Sequence, residues 1–226
     1  ALSMFALAGL QYVTTQKLQL ADGLTPLRSG LYVTFAALGA LATSIYAGAR
    51  LSQFGIRRLI AGGLGLATLG GVVVCAYGLW GWTPLLLSGL FVMGMGLGAV
   101  MSVASIAMVS GVPSHRAGMA SSVEEVSYEF GSLTSISVLG SLVTFFYSAT
   151  ISLPVDAPEA AKESLHDAVH IAQTTSASWS DPLFAAADIA YSHALALISA
   201  LVVVVLAAGS LYTARILRGV TVELED

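Results

Sequence analysis

Apolar stretches of about twenty residues, each closed by a short polar or turn-forming segment, recur six times along the chain, at 2–20, 29–49, 59–79, 84–111, 117–149 and 184–214. A helix needs roughly 20 predominantly apolar residues to cross a bilayer, so the pattern predicts an all-α membrane protein with six transmembrane helices. The fifth and sixth stretches exceed that need, which tilt or projection beyond the lipid can absorb. Between 150 and 183 the apolar pattern lapses. Pro154, Pro158, Asp156, Glu159, Glu163, Asp167, His166 and His170 fall there. This segment reads as an outer loop, and the helix formers over 158–170, with Pro near the first turn and acids early, predict a short surface helix. Residues 215–226 read as a polar tail.

Composition fits this reading. Of 226 residues, 56% are hydrophobic and 10% charged, and the mean hydropathy is +0.84. A water-soluble domain carries about 25% charged residues. The net charge of −4 says less than the placement of Lys and Arg, which collect on cytoplasmic loops. Arg50, Arg57, Arg58, Arg116, Arg215 and Arg218 fall on one side of the predicted spans, and Lys17, Arg28 and Lys162 on the other. The richer side is expected to be cytoplasmic, with both chain ends there and Trp80 and Trp82 at the outer interface. The chain starts with Ala and enters its first span at once, so it is expected to be part of a longer chain. The single cysteine, Cys75, offers neither a disulfide nor a metal cluster and reads as a small packing residue.

Several motifs can be set aside. The sequence GMGLG at 94–98 lies inside an apolar span, not in a strand-to-helix loop, so its glycines read as helix-packing residues. His166 and His170 have i, i+4 spacing, but no third ligand is evident and the Glu of HExxH is absent, so no metal site is expected. Neither HExxH nor GxSxG occurs, and no enzyme activity is expected.

The informative groups are the acids of the stretch SSVEEVSYEFGS at 121–132. An ionisable group at a helix centre costs roughly 2.5–3.5 kcal/mol on the insertion scale and faces a cavity or a partner. At about 1.5 Å per residue, Glu125 lies about 12 Å inside and Glu129 about 6 Å deeper. The two share a helical face; Glu124 is rotated by about 100° and stacks above Tyr128. Two carboxylates on one face repel when both are ionised, so such a pair can hold a proton or a cation. The bland alternative is that an acid, Glu124 first, pairs with a nearby arginine such as Arg116. Tyr128 can offer a π face to a cation or simply pack. In the first span Gln11 and Thr15, or Thr14 with Lys17, can line a cavity, and Lys17 is expected to snorkel to the interface. Met93 and Met101 are candidate soft cavity walls. Asp188 and His193 are expected in interface roles.

The segment AGMASSVEEVSYEFGS at 117–132, followed by VLGS at 138–141, closely resembles the penultimate helix of the fourteen-helix drug:proton antiporters of the major facilitator superfamily, of the QacA and SmvA (methyl viologen resistance) type. The segment running from Gln11 and Tyr12 to GLTPLRSGL at 23–31 resembles the ninth helix and following turn. The segment GARLSQFGIRR at 48–58, with Arg50, Gly55, Arg57 and Arg58, resembles the basic cytoplasmic loop motif, but Ser52 and Gln53 stand where an Asp-Arg pair is usual.

The resemblance implies the carboxy-terminal half of a bacterial inner-membrane exporter, built as two inverted three-helix repeats. It implies exchange of protons for lipophilic cations such as quaternary ammonium compounds, biguanides, dyes and methyl viologen. Glu125, Glu129 and Glu124 would bind proton or cation. The proton gradient would supply the energy without a cofactor, and the partners would be the bilayer, the cationic drugs and the amino-terminal half, with no nucleic acid. Two other readings stay open: a non-transporting six-helix structural or regulatory module, and a proton-coupled metabolite transporter.

Overall fold

A computed structural model describes residues 1–175 and 177–216. The expected tail beyond residue 216, with Arg218, lies outside the described residues. The helices are α1 (Leu2–Gln16), α2 (Pro26–Ala49), α3 (Leu51–Trp80), α4 (Thr83–Ser110), α5 (Ala117–Thr150), α6 (Leu165–Thr174) and α7 (Ser180–Ile216). A π-helical turn, Lys17–Ala21, continues α1. Five of these, α2 to α5 and α7, are long and apolar enough to cross a membrane. With 15 residues α1 is short for a span on its own, and the π turn extends it.

Helices α2, α3, α4 and α7 start earlier than the apolar pattern does, because capping and turn residues belong to them. Thr25 caps α2 by accepting from the Arg28 N–H, with Pro26 in the first turn. Helix α3 begins at Leu51 and includes the basic segment, but it is broken at Gly55 (φ 74°, ψ 154°), a conformation essentially restricted to glycine. The short helix over 158–170 is corrected. A 3₁₀ turn occupies Glu159–Lys162, and α6 starts at Leu165, where Ser164 accepts from the Asp167 N–H and donates to its carboxylate. That reciprocal cap fixes the start, so the helix runs to Thr174.

One buried apolar core joins α1, α3, α4, α5 and α7, and small residues set how closely the helices approach. Helix α4 is wedged between α2 and α3 through small residues on both faces. Gly94 and Gly98 lie against Ala36 and Ala40 of α2, while Gly89 and Gly96 lie against Gly70, Gly63 and Ala67 of α3. A Cβ at any of these glycines would collide with backbone. Thr43 Oγ1 donates to the Met95 carbonyl at 2.6 Å and Ser102 Oγ to that of Ser44 at 3.0 Å. Helix α7 joins this slab through α3: Gly78 lies against Ala196, and Ser210 Oγ donates to the Ala61 carbonyl at 2.8 Å. Cys75 is half-buried and donates to the Ala196 carbonyl at 3.3 Å, a packing role. Helices α1 and α5 pack against each other, with Gly9 against Ser135 and Leu139 and the Ser135 hydroxyl donating to the Phe5 carbonyl. Each end of the bundle gathers alternate connections. The end bearing the α5–α7 connection is called distal below, and the end bearing Gly55 and Arg116 proximal.

Candidate functional site

Helix α5 turns its three acids in two directions. Glu124 points into the bundle and is only 8% exposed; its Oε2 accepts from Ser105 Oγ of α4 at 3.0 Å and its Oε1 from the Tyr128 hydroxyl at 2.7 Å. The stacking of Glu124 on Tyr128 follows from their i, i+4 spacing. The arginine reading is not seen: among the described residues the Glu124 partners are hydroxyls, and Arg116 is not one of them. Glu125 and Glu129 lie on the opposite, exposed face and make no side-chain hydrogen bond or ion pair among the described residues. The helix thus separates one carboxylate held by two hydroxyl donors from two that have no side-chain partner among the described residues.

The open face of α5 continues onto α1. Glu129 and Gly140 are eleven residues apart, about three turns, and so share a face. At Gly140 the ring of Tyr12 comes within 3.3 Å of where a Cβ would stand. Tyr12, Thr15, Gln16 and Gln19 then line a groove of about 420 Å³ that runs to His166 of α6. Gln16 Oε1 accepts from the Tyr191 hydroxyl of α7 at 3.3 Å, while Gln19 donates to Ser29 at 3.0 Å. Gln11 and Thr15 are half-buried on this side. Thr14 is fully buried, and its hydroxyl lacks a partner. Met93 is fully buried where α4 meets α3, whereas Met101 is half-buried. The Tyr128 ring is also half-buried.

Lys17 does not snorkel. It is buried, with its side chain 5% exposed, because two carboxylates lie close enough to hold it: Asp22 Oδ1 at 3.1 Å and Asp188 Oδ1 of α7 at 2.7 Å. The Tyr77 hydroxyl of α3 donates to Asp22 Oδ2 at 3.3 Å. These groups border a distal cavity of about 290 Å³ with Tyr32, Thr83 and Ser192. Asp188 is thus in an interhelical ion pair where an interface role was the expectation, and His193 is exposed. At the proximal end Gly55 turns the chain, the Arg57 Nε donates to the Ala214 carbonyl near the end of α7 at 2.9 Å, and the Arg50 guanidinium lies 5.0 Å from the centroid of the Tyr46 ring. Arg58 is exposed. The rings of His166 and His170 stack at 6.4 Å, and no group of three metal-ligating side chains occurs among the described residues.

No established protein-family profile matches the chain. Individual proteins do. The chain is 28% identical to the multidrug efflux pump LfrA of Mycolicibacterium smegmatis over 86% of its own length and 40% of that protein. It is 27% identical to the methyl viologen resistance protein SmvA of Salmonella typhimurium over 88% of its length and 41% of that protein. It is 31% identical to the multidrug resistance protein Stp of Mycobacterium tuberculosis over 65% of its length and 27% of that protein. A crystal structure of the Escherichia coli fucose:proton symporter FucP superposes on 95% of the chain and 46% of that protein, with a TM-score of 0.63 at 19% identity. The chain thus spans about two fifths of the length of its multidrug-pump relatives and about half of a transporter of the same fold.

Proposed function

We propose, from a chain that is a homologue of multidrug efflux pumps and has the major facilitator fold, that it is the carboxy-terminal half of a proton-coupled exporter of lipophilic cations. In this reading α1 with its π turn is the sixth span. The two inverted repeats are α1 to α3, and α4, α5 and α7. The proximal end, with five of the described arginines, faces the cytoplasm. Quaternary ammonium compounds, biguanides, dyes and methyl viologen are the proposed substrates, a bacterial inner membrane the proposed location, and an amino-terminal half the proposed partner.

The observation that carries the reading is the division of labour on α5. Glu125 and Glu129 have no side-chain partner among the described residues and stand on the face that continues into the polar groove of α1, while Glu124 is held by Ser105 and Tyr128. A cavity formed against a second half would enclose the exposed pair. When ionised, the pair attracts a cation; protonation cancels that attraction and releases it, so proton entry and cation exit become one exchange. Glu124 then serves as a fixed point that orients α5 rather than as a third exchange site. Tyr12, Thr15 and Gln11 supply an amphipathic wall.

The test uses the complete polypeptide in inverted membrane vesicles. Glu125→Gln and Glu129→Gln are each expected to abolish ethidium or methyl viologen movement driven by a pH gradient, with normal accumulation in the membrane. Efflux at the unsubstituted rate in both variants would sink the mechanism. Strict dependence on a neutral metabolite in the same vesicles would instead favour the metabolite transporter.

A further inference from the structure

The most heavily charged contact inside the bundle takes no part in the exchange just described. One ammonium, Lys17, is shared by two carboxylates from different helices at 3.1 and 2.7 Å, and the hydroxyl of Tyr77 ties a third helix to the same carboxylate, Asp22. Around it, Tyr32 of α2 is the other titratable group bordering the cavity. The cluster sits where the α1–α5 pair meets the slab of α2, α4, α3 and α7, at the distal end.

The backbone at this point also departs from α geometry. Lys17–Ala21 forms a π turn, which carries one residue more than an α turn and is recurrently placed at functional positions. Conversion of that turn to α geometry rotates everything after it by about 100°, which takes Asp22 away from Lys17 and Tyr77.

We propose that Lys17 is a positioning residue of the transport cycle: shared between Asp22 and Asp188, it latches the end of α1 to α7 and α3 and keeps the distal end closed until the latch parts. The proposal rests on the transporter reading, since a closed end has meaning only if it must open. It adds a gate that the exchange pair on α5 does not contain. The driving force for closure is the pairing of a buried ammonium, Lys17, with two half-exposed carboxylates, of which Asp188 alone ties α1 to α7.

The experiment reads closure directly. In the complete polypeptide, Ser192→Cys places a thiol on the wall of the distal cavity, and its reaction rate with a membrane-impermeant maleimide, applied from either side of the membrane, reports opening. If the open state is a minor one, populated at about 0.1–10%, Lys17→Met and Asp188→Asn are expected to raise the rate about tenfold or more. Lys17→Arg, and the swap Lys17→Asp with Asp188→Lys that again sets one ammonium between two carboxylates, are expected to restore the slow rate. Should Lys17→Met fail to accumulate, Asp188→Asn still tests the latch, because Asp22 continues to pair the lysine.

Unchanged labelling in Asp188→Asn overturns the proposal, and failure of the swap to slow the reaction overturns its charge-pair basis. Dye efflux is measured in parallel: its absence from the unsubstituted polypeptide would overturn the exporter reading but not the labelling result.

Discussion

Replacing Glu124 separates its structural role from the chemistry of its neighbours. The carboxylate accepts two hydrogen bonds at 3.0 and 2.7 Å and is almost fully buried. A hydrogen bond to a charged group contributes about 1.5–3 kcal/mol, and the desolvation of the carboxylate offsets part of the sum. Glu124→Ala therefore costs about 2–4 kcal/mol and strands the hydroxyls of Ser105 and Tyr128. For a chain of this size 1 kcal/mol corresponds to about 2–4 °C, giving an expected fall in Tm of about 4–16 °C. Glu124→Gln keeps an acceptor for Tyr128 and offers an amide donor to Ser105, so about 1 kcal/mol or less is expected. Tryptophan fluorescence during heating in detergent measures both. Proton-driven dye efflux by Glu124→Gln is expected to stay within about threefold of the unsubstituted rate, a difference below 1 kcal/mol. Loss of gradient-driven efflux in Glu124→Gln with an unchanged Tm would refute the assignment and return Glu124 to the exchange site.

Other outcomes follow from the packing. Gly55→Ala meets no neighbouring atom, so its expected cost of about 1–3 kcal/mol comes from the positive φ alone and should appear as a lowered Tm. Gly94→Val drives a side chain into the backbone of Ala36, and its expected signature is loss of folded protein on gel filtration in detergent. Tyr147→Phe removes a buried donor from the Ala161 carbonyl, a 3.0 Å bond, and is expected to cost about 1–3 kcal/mol by leaving that carbonyl unsatisfied. Faster limited proteolysis within 151–164 would mark the loosening.

The sequence made the long helices legible because twenty apolar residues in a row have few other uses. It located their ends less well: Pro26, Leu51 and Ser180 begin helices among polar residues that a hydropathy window leaves out. The short distal helix was misplaced by reading Pro158 as its start, although Ser164 and Asp167 form a capping pair that the spacing already displayed. On α5 the i, i+4 rule grouped Glu125 with Glu129 and Glu124 with Tyr128, but it could not say which group points inward. That is set by Ser105, on another helix. The distal ion cluster was illegible for the same reason. Lys17 and Asp188 are 171 residues apart, and nothing local to Lys17 announces a second carboxylate.

That separation bears on how the chain enters the membrane. In the transporter reading α1 enters lipid with a lysine in it before α7 has been synthesised, and an unpaired ammonium there is costly to insert. Asp22 lies only five residues further on, and the π turn between them brings the two side chains together. The nascent segment can thus carry its own counter-ion through insertion. In that reading α7 then brings a second carboxylate, Asp188, to the Lys17–Asp22 pair.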